Sequence, residues 1–281
     1  MHDLNQISHS HDQLEVIYQD QILCVRKTFK GNIDRVERGV AKQKNFRPIY
    51  FDNARITSVS TLDFKINEFH AELLMPYVDG ITGDNFPIFA TKQMANSLSD
   101  SLSTLIFREI NESKEKLILS SVFSEKLQHI ERETRDEDLK KLIFRVIEII
   151  KKLPKSLIFP VGECHGDLTL NNLILNPTSG IILIDFLDTY LETPLQDVAK
   201  LKQDFDYGWS FRNSETTTII KAEIFCEKNY PHAIRQIEEL YPIQTKALTL
   251  LTLARISPYV KDRITKEWLK SSLIKCIGEW E

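Results

Sequence analysis

Three polar side chains in the middle of the chain have spacings that suit metal-assisted phosphoryl transfer. Asp167 follows His165 by two residues, Asn172 follows Asp167 by five, and Asp185 follows Asn172 by thirteen. Amide and carboxylate oxygens are suitable ligands for the Mg²⁺ that accompanies a nucleoside triphosphate. A further aspartate can orient an attacking hydroxyl and accept its proton. The pattern therefore indicates a phosphate-transfer site with Asp167 facing the acceptor.

The interval between Asn172 and Asp185 predicts a β-hairpin. An apolar strand near 173–175 is followed by the turn sequence Asn-Pro-Thr-Ser-Gly at 176–180 and by a second apolar run at 181–184. Turn residues between two short apolar runs are typical of a hairpin. A hairpin of this length would bring Asn172 and Asp185 to the same end. Taken singly, these residues would more often be strand-end or turn residues; the complete pattern favours the functional interpretation.

This block resembles the catalytic segment of the aminoglycoside phosphotransferase and choline kinase superfamily, small-molecule kinases with a protein-kinase-like fold. The signature of that family, His-x-Asp-x-x-x-x-Asn followed by a strand ending in Asp-Phe or Asp-Trp, is met by His165, Asp167, Asn172 and Asp185-Phe186. The resemblance implies that Asp167 is the catalytic base and that Asn172 and Asp185 hold the metal.

A second acidic residue, Asp197, matches the Asp-Leu-Ala element of the same family. The resemblance implies a buried structural carboxylate that accepts hydrogen bonds from the backbone of the catalytic loop. The preceding Thr193-Pro194 is also an ordinary helix-start signal, which makes Asp197 a first-turn residue of a helix. The two interpretations are compatible.

Lys27, at the end of a predicted strand, is the candidate for contacts with the α- and β-phosphates of the nucleotide. The resemblance implies that Glu37, on the following helix, is its carboxylate partner, with Asp34 one turn away. Taken alone, Lys27 is one surface lysine among many. A register shift of one residue would direct Arg26 inward instead.

The segment 72–80 resembles the hinge between the two lobes of these kinases, where backbone groups of Met75 and Tyr77 would meet the adenine edge. A buried strand with a terminal turn describes the same residues equally well.

Two features depart from the protein-kinase pattern. No glycine precedes Gly31, so the glycine-rich phosphate loop is absent and the equivalent stretch is 7–11. Leu187 occupies the position of the glycine in Asp-Phe-Gly, and only eleven residues separate Asp185 from Asp197. Without a long activation segment, a small hydroxylated substrate is favoured over a protein.

The bulk composition is that of a soluble globular protein. The 281 residues are 42% hydrophobic and 27% charged, with a formal net charge of −4 and a pI of about 6.0. The absence of a basic excess argues against a nucleic-acid partner. We expect no membrane span and no signal peptide, because no long apolar run is present. The four scattered cysteines predict reduced thiols and a cytoplasmic location. His2, His9 and His11 indicate a mobile tail more than a metal site.

The order of the predicted elements indicates an α+β, two-lobed, protein-kinase-like fold. We expect a small β-rich lobe over residues 1–79, which binds the nucleotide, and a larger, mainly helical lobe over 80–281. The first region contains strands at 14–18, 22–29, 56–59 and 71–77 and a helix at 32–45. The second begins with helices at 89–110, 112–130 and 136–153, continues with the catalytic hairpin, and is again helical from 195.

The sequence thus favours an enzyme, a kinase that uses ATP (GTP is not excluded) and Mg²⁺ to phosphorylate a hydroxyl of a small molecule. A sugar of surface-polysaccharide metabolism is one acceptor that the resemblance suggests; an aminoglycoside or an amino alcohol stays open, as does the oligomeric state. Two alternatives are a pseudokinase, which binds nucleotide or a partner without turnover, and a nucleotidyltransferase, which would release pyrophosphate. Acceptor-binding candidates lie after 195, namely Asp204, Asp206, Tyr207, Trp209 and Glu215.

Overall fold

The computed structural model describes residues 12–51, 54–67, 70–176 and 180–280. These ranges form a mixed α+β structure, β-rich at the front of the chain and helical behind it, as predicted. The strands are β1 (Gln13–Gln19), β2 (Ile22–Phe29), β3 (Ile49–Phe51), β4 (Ala54–Ser58), β5 (Asp63–Ile66), β6 (Ala71–Pro76), β7 (Ile81–Thr82), β8 (Lys114–Leu119), β9 (Ser156–Val161), β10 (Leu173–Asn176) and β11 (Gly180–Leu183).

The helices occupy most of the chain after β7. They are α1 (Ile33–Asn45), α2 (Phe86–Phe89), α3 (Lys92–Glu112), α4 (Ser121–Glu133), α5 (Glu137–Lys151), α6 (Pro194–Phe205), α7 (Thr216–Lys228), α8 (His232–Leu240), α9 (Pro242–Ala254) and α10 (Arg263–Gly278). Within the described ranges, none of them is long and apolar enough to cross a bilayer.

The first sheet has four antiparallel strands in the order β1-β2-β6-β5. Its register settles which basic residue of β2 faces inward. Lys27 is only 8% exposed, on the side where Val25 and Phe29 pack against a small apolar core. Arg26 faces the other side and pairs with Glu15. Because side chains alternate between the two faces of a strand, only one of Lys27 and Arg26 can face inward.

The second sheet contains the predicted catalytic hairpin. Strands β10 and β11 pair antiparallel, with Leu173 opposite Leu183, and the Ile184 N–H donates to the carbonyl of Asn172 at 3.1 Å. The order is β3-β4-β11-β10-β7, with β4 parallel to β11. Strands from both sides of residue 79 therefore share this sheet, and the division into 1–79 and 80–281 stays a prediction.

One predicted helix is wrong over its first half. Residues 114–119 form strand β8, which pairs with β9, and α4 begins only at Ser121. The partner strand lies about forty residues further along the chain. A periodicity search over a local window cannot detect a pairing at that distance, and the apolar run 117–119 suits either structure.

Helix α1 lies directly against the segment that follows β11. Gly39 is buried, and a Cβ at this position would lie 2.6 Å from the carbonyl oxygen of Phe186. Such a distance is far below any normal carbon–oxygen contact, and the obstacle is backbone, which cannot rotate away. The close approach of α1 to residues 186–188 therefore requires glycine here.

We predict that Gly39→Ala lowers the thermal unfolding midpoint, although alanine is intrinsically better in a helix by about 1 kcal/mol. Overpacking against Phe186 should outweigh that gain and cost about 1–3 kcal/mol in total. The matched control is Gly278→Ala at the end of α10, where a Cβ would meet nothing within 4 Å. Calorimetry should show a lower midpoint for the first variant only; equal midpoints would contradict the packing argument.

Candidate active site

The catalytic loop, residues 165–172, is held by one face of α6. Asp197 accepts hydrogen bonds from the backbone N–H groups of His165 at 2.5 Å and Gly166 at 2.7 Å. One turn later, the Lys200 ammonium lies 2.8 Å from Oδ1 of Asp167. Positions three and seven residues after Asp197 lie on the same helix face, so this helix contacts successive parts of the loop.

The third side chain on that face is Asp204. Its carboxylate accepts from the backbone N–H groups of Leu170 at 2.6 Å and Ser210 at 2.8 Å. Burial raises the pKa of Asp204 to about 6, in spite of these donors. The expectation that Asp204 contacts an acceptor is therefore wrong, because it is fully buried and its oxygens are used by the loop backbone.

Asp197 is equally buried, in agreement with its expected structural position. Burial raises the pKa of Asp197 to about 7, against the lowering effects of Lys42 and of the two N–H donors. Its partners hold the loop backbone at 165 and 166 in place. The tight turn there needs a glycine, since Gly166 has a φ of +88° and a Cβ would lie 2.1 Å from the Leu187 carbonyl oxygen.

His165 is a structural member of the loop in a defined tautomer. Its Nδ1 accepts from the Asp167 N–H at 3.2 Å, so the proton sits on Nε2, which lies 2.8 Å from the carbonyl oxygen of Ile184. The ring packs on Phe186, with centroids 4.2 Å apart. Burial is the main cause that lowers the pKa of His165 to about 4. The imidazole is thus neutral at pH 7 and links the catalytic loop to residues 184–186.

Asp167 presents a charged carboxylate at this site. Burial by itself would raise the pKa of Asp167, but the Lys200 ammonium, with smaller help from His165 and Arg255, outweighs burial and holds the pKa below its ordinary value. The other oxygen, Oδ2, accepts from Nδ2 of Asn172 at 3.0 Å. Lys200 was not assigned a function from the sequence, although its position three residues after Asp197 places it on the loop-facing side of α6.

Asn172 has one end of its amide fixed. Nδ2 donates to both the backbone carbonyl and the carboxylate of Asp167, at 2.7 and 3.0 Å, which directs Oδ1 away from them. Asp185 follows the strand that pairs beside Asn172, with a φ of +60°, a left-handed conformation that is uncommon for aspartate. An amide oxygen and a carboxylate side by side fit the oxygen preference of Mg²⁺.

The donor set is small. Within the described ranges, no three His, Cys, Asp or Glu side chains form a metal-binding group. A Mg²⁺ held by Asn172 and Asp185 would therefore depend on oxygens of the nucleotide phosphates for its remaining ligands. This suits an ion that usually binds through one or two protein groups together with substrate phosphates.

The Lys27 ammonium bridges the first sheet and this site. It lies 2.8 Å from both carboxylate oxygens of Asp185 and 3.7 Å from Asp12. Burial would lower the pKa of Lys27, but Asp185, and then Asp12, outweigh it and raise the pKa above its ordinary value. The structure thus brings Lys27 to Asp185 and Asn172 to Asp167, on the two sides of the hairpin end.

Glu37 is not part of this group. It is exposed on α1, while the buried residues of that helix are Gly39, Val40 and Gln43. Successive residues of a helix point about 100° apart, so Glu37, one residue beyond Val36, faces away from Lys27. The expected Lys27–Glu37 pair is wrong in this structure, where Asp185 and Asp12 pair with the lysine.

The expected hinge residues lie at the end of β6. Met75 stands opposite Val25 and is buried against Nε2 of Gln43, whereas Tyr77 is half exposed. The Tyr77 N–H donates to the carbonyl of Leu23 at 2.8 Å. That N–H is therefore engaged by the sheet, and an adenine contact at Tyr77 would have to use its carbonyl.

Helix α1 contributes cations to the segment after Asp185. Nζ of Lys42 lies 2.7 Å from Glu192 and donates to the Leu187 carbonyl at 2.8 Å. Arg38 pairs with the Asp188 carboxylate at 2.9 Å, and Nε of Arg35 donates to the backbone carbonyl of the same residue at 3.0 Å. The segment that carries Asp185 is thus fixed by α1 on one side and by His165 on the other. The suggested phosphate-binding stretch 7–11, and His2, His9 and His11, lie outside the described residues.

Comparison with known proteins finds a family model that matches the central part of the chain. Residues 113–224 match the model of a phosphotransferase enzyme family, APH, a stretch that contains the whole catalytic hairpin and α6. No curated protein matches the chain by sequence.

Several solved structures share the fold over nearly the whole chain. A thermostable mutant of aminoglycoside phosphotransferase APH(4)-Ia, in a ternary complex with AMP-PNP and hygromycin B, is 11% identical, with a TM-score of 0.57 over 95% of this chain and 93% of that one. Choline kinase LicA from Streptococcus pneumoniae is 14% identical, with a TM-score of 0.54 over 95% and 90%. A glucosamine kinase is 9% identical, with a TM-score of 0.53 over 94% and 79%. The predicted resemblance and the protein-kinase-like fold are confirmed.

We predict that the stability of the fold decreases on acidification partly through His165. The unfolded chain binds a proton at its ordinary pKa of about 6.5, whereas the folded chain does so only at about 4. Stability from the neutral imidazole is therefore complete above pH 6.5 and is lost as the pH falls toward 4, by about 3 kcal/mol.

The measurement is urea unfolding of the wild type and of His165→Gln from pH 4 to 7. Comparison with the variant is needed because Asp197, whose raised pKa acts in the opposite sense, titrates in the same range. The glutamine amide can replace both hydrogen bonds, so the variant should lose part of the pH dependence. Parallel curves for the two proteins would exclude a titrating His165.

Proposed function

We propose that this protein is a kinase that transfers the γ-phosphate of ATP to a hydroxyl of a small molecule. The single observation that carries the proposal is the convergence of Lys27, Asp167, Asn172 and Asp185 on one site, with Asp167 kept anionic by Lys200. The match to a phosphotransferase family over 113–224 and the shared fold of kinases that act on three different small molecules support it.

Each side chain has a chemical task in this proposal. Asp167 orients the acceptor hydroxyl and accepts its proton. A carboxylate of low pKa is suited to this task because the hydroxyl becomes more acidic as the phosphate is transferred. Asn172 fixes Asp167 through two hydrogen bonds and offers its amide oxygen, beside Asp185, to Mg²⁺. When bound, the ion neutralises charge on the phosphates. Lys27 would contact the α- and β-phosphates in place of its present partner Asp185.

The nucleotide is proposed from the same site. A neighbour of the same fold binds AMP-PNP, an ATP analogue. Because the Tyr77 N–H is engaged by Leu23, the Tyr77 carbonyl is the group proposed to accept from an adenine amino group. ATP is therefore the proposed donor, although the stretch that would replace the glycine-rich loop leaves GTP open. The buried, free cysteines agree with a cytoplasmic enzyme.

The pseudokinase alternative rests on the missing glycine-rich loop. A protein that only binds nucleotide has no need of an anionic Asp167 held by both Asn172 and Lys200, and the neighbours reported above are all phosphotransferases or kinases. The proposal of an active enzyme is therefore preferred. A nucleotidyltransferase is distinguished by its product, since it would release pyrophosphate and not ADP.

We predict that Asp167→Asn lowers turnover by roughly 10²–10⁴-fold, because general base catalysis supplies an effect of that size, while Mg-ATP binding is retained. Asp185→Asn should weaken Mg-ATP binding itself. The measurement is ADP release with a panel of sugars, amino alcohols and aminoglycosides, with nucleotide binding followed by calorimetry.

Asp100→Asn, an exposed aspartate on α3, is the matched control and should behave as the wild type. Near-normal turnover in Asp167→Asn would overturn the assignment of the base. Nucleotide binding without ADP release by the wild type, with every acceptor and with water, would favour the pseudokinase.

A second prediction concerns Lys200 as a positioning residue. Without its charge, burial should raise the pKa of Asp167, so the acidic limb of the kcat/KM profile of Lys200→Gln should move to higher pH. Lys200→Arg keeps the charge and should restore the wild-type limb. If Lys200→Gln has lower activity but an unchanged acidic limb of the kcat/KM profile, Lys200 has only a structural role.

A further inference from the structure

Three cationic side chains lie on elements that meet near the segment after Asp185. Arg255 caps the end of α9, Lys126 lies on α4, and Arg35 lies on α1. Helix α4 packs against α9 and against the short 3-10 helix Ser257–Tyr259 that follows it. All three side chains are partly buried. Arg35 bonds to Asp188, and Phe123 of α4 meets the ring of Tyr190. Gly166 lies against Leu187 and Thr189, so this segment runs beside Asp167.

The electrostatics of these groups agree with that arrangement. Burial lowers the pKa of Arg35 and Arg255 lowers it further, while Asp188 and Asp167 act in the opposite direction. Burial likewise lowers the pKa of Lys126, followed by Arg255 and Arg35. Arg255 also stabilises the anionic form of Asp167. Cations lower one another's pKa when they lie close together, and this closeness is electrostatically unfavourable.

Direct ion pairs to Arg255 and Lys126 are absent from the described part of the chain. Within it, neither Arg255 nor Lys126 has a carboxylate within 4.0 Å, whereas Asp188 is paired with Arg38 and Asp167 with Lys200. Arg35 uses Nε for the backbone carbonyl of Asp188, which leaves the two terminal nitrogens of its guanidinium without a hydrogen-bond acceptor in the same ranges. Three cationic groups thus keep hydrogen-bond donors for a ligand.

An independent observation comes from Tyr190. Its hydroxyl oxygen is buried and has no hydrogen-bond partner among the described residues. Its ring meets Phe123 edge-on, with centroids 6.3 Å apart, and Phe123 lies one turn before Lys126 on α4. Arg255 is the charged group that acts on this hydroxyl. A buried hydroxyl without a partner is unfavourable unless a ligand completes it.

We propose that the acceptor of this kinase is an alcohol that carries a carboxylate or phosphate group, bound by Arg255, Arg35 and Lys126 with the Tyr190 hydroxyl. The proposal rests on the proposed function and names the substrate class of the same site. A cationic acceptor, such as an aminoglycoside or choline, would be repelled by this cluster. Tyr259, 76% exposed next to Arg35, offers a ring at the rim against which a sugar could pack.

The first arm of the test measures anion binding directly and needs no turnover. Inorganic phosphate is titrated into the protein saturated with ADP and Mg²⁺, so that the nucleotide site is already filled. The wild type should bind phosphate, and Arg255→Gln, Lys126→Gln and Tyr190→Phe should each bind it more weakly, by roughly tenfold for the two charge losses. Two exposed cations elsewhere, Arg235→Gln and Lys221→Gln, serve as controls that should bind as the wild type.

The second arm compares acceptors that differ only in the anionic group. ADP release is measured with glucose, glucuronate and glucose 6-phosphate, and with glycerol and glycerate, beside choline and an aminoglycoside. The anionic member should have the higher kcat/KM in at least one pair, and the comparison of glucuronate with the phosphate ester shows which anion is bound. Arg255→Gln should reduce that preference by roughly tenfold or more, while Arg255→Lys should restore part of it.

The outcomes separate the two proposals. Preference for a neutral or cationic acceptor, or phosphate binding equal in the wild type and all three variants, would overturn the anionic acceptor while leaving the kinase intact. Phosphate binding that is lost in the variants, in a protein that never releases ADP, would support the anion site and contradict the kinase. Melting curves of each variant identify any loss caused by unfolding.

Discussion

The geometry of the site depends on a single physical constraint, the need to satisfy the backbone N–H groups of a buried, irregular loop. The catalytic loop is neither helix nor strand over most of its length, so its donors have no regular partners. Asp197 and Asp204 supply them from one face of α6. Burying two carboxylates is unfavourable, as their raised pKa values show. The hydrogen bonds from the loop backbone offset that cost, and they fix the loop that carries the candidate catalytic side chains.

This arrangement explains why the loop and the segment that carries Asp185 form one unit. His165 links the loop to Ile184 through its ring and to Leu187 through its carbonyl, while Gly166 permits the approach. On the opposite side, α1 reaches the same segment with Lys42 and needs Gly39 to do so. Asp185 is thus held in an uncommon backbone conformation by contacts on both sides. Such strain persists only where the surroundings determine it.

The sequence was sufficient for the parts of the site that are encoded locally. The motif from His165 to Asp185 is short, and its hairpin is set by a turn. Strand alternation reduced the inward basic residue of β2 to Lys27 or Arg26, and the register of the sheet decided for Lys27. Prediction from the sequence failed where the structure depends on packing between segments that are distant along the chain. Glu37 was misplaced because a single helical step rotates a side chain by about 100°, and β8 was missed because its partner strand lies far along the chain.

The acceptor region belongs to the second kind. Its candidate cations come from α1, α4 and the end of α9, and no spacing along the chain links Arg35, Lys126 and Arg255. The motif from His165 to Asp185, in contrast, is concentrated in a short segment with a fixed order. Because the two sites are encoded so differently, a chain can keep the phosphate-transfer machinery while its acceptor site changes charge through a few substitutions on separate helices. Under the proposed function, the fold constrains the reaction, and Arg35, Lys126 and Arg255 would select the molecule that receives the phosphate.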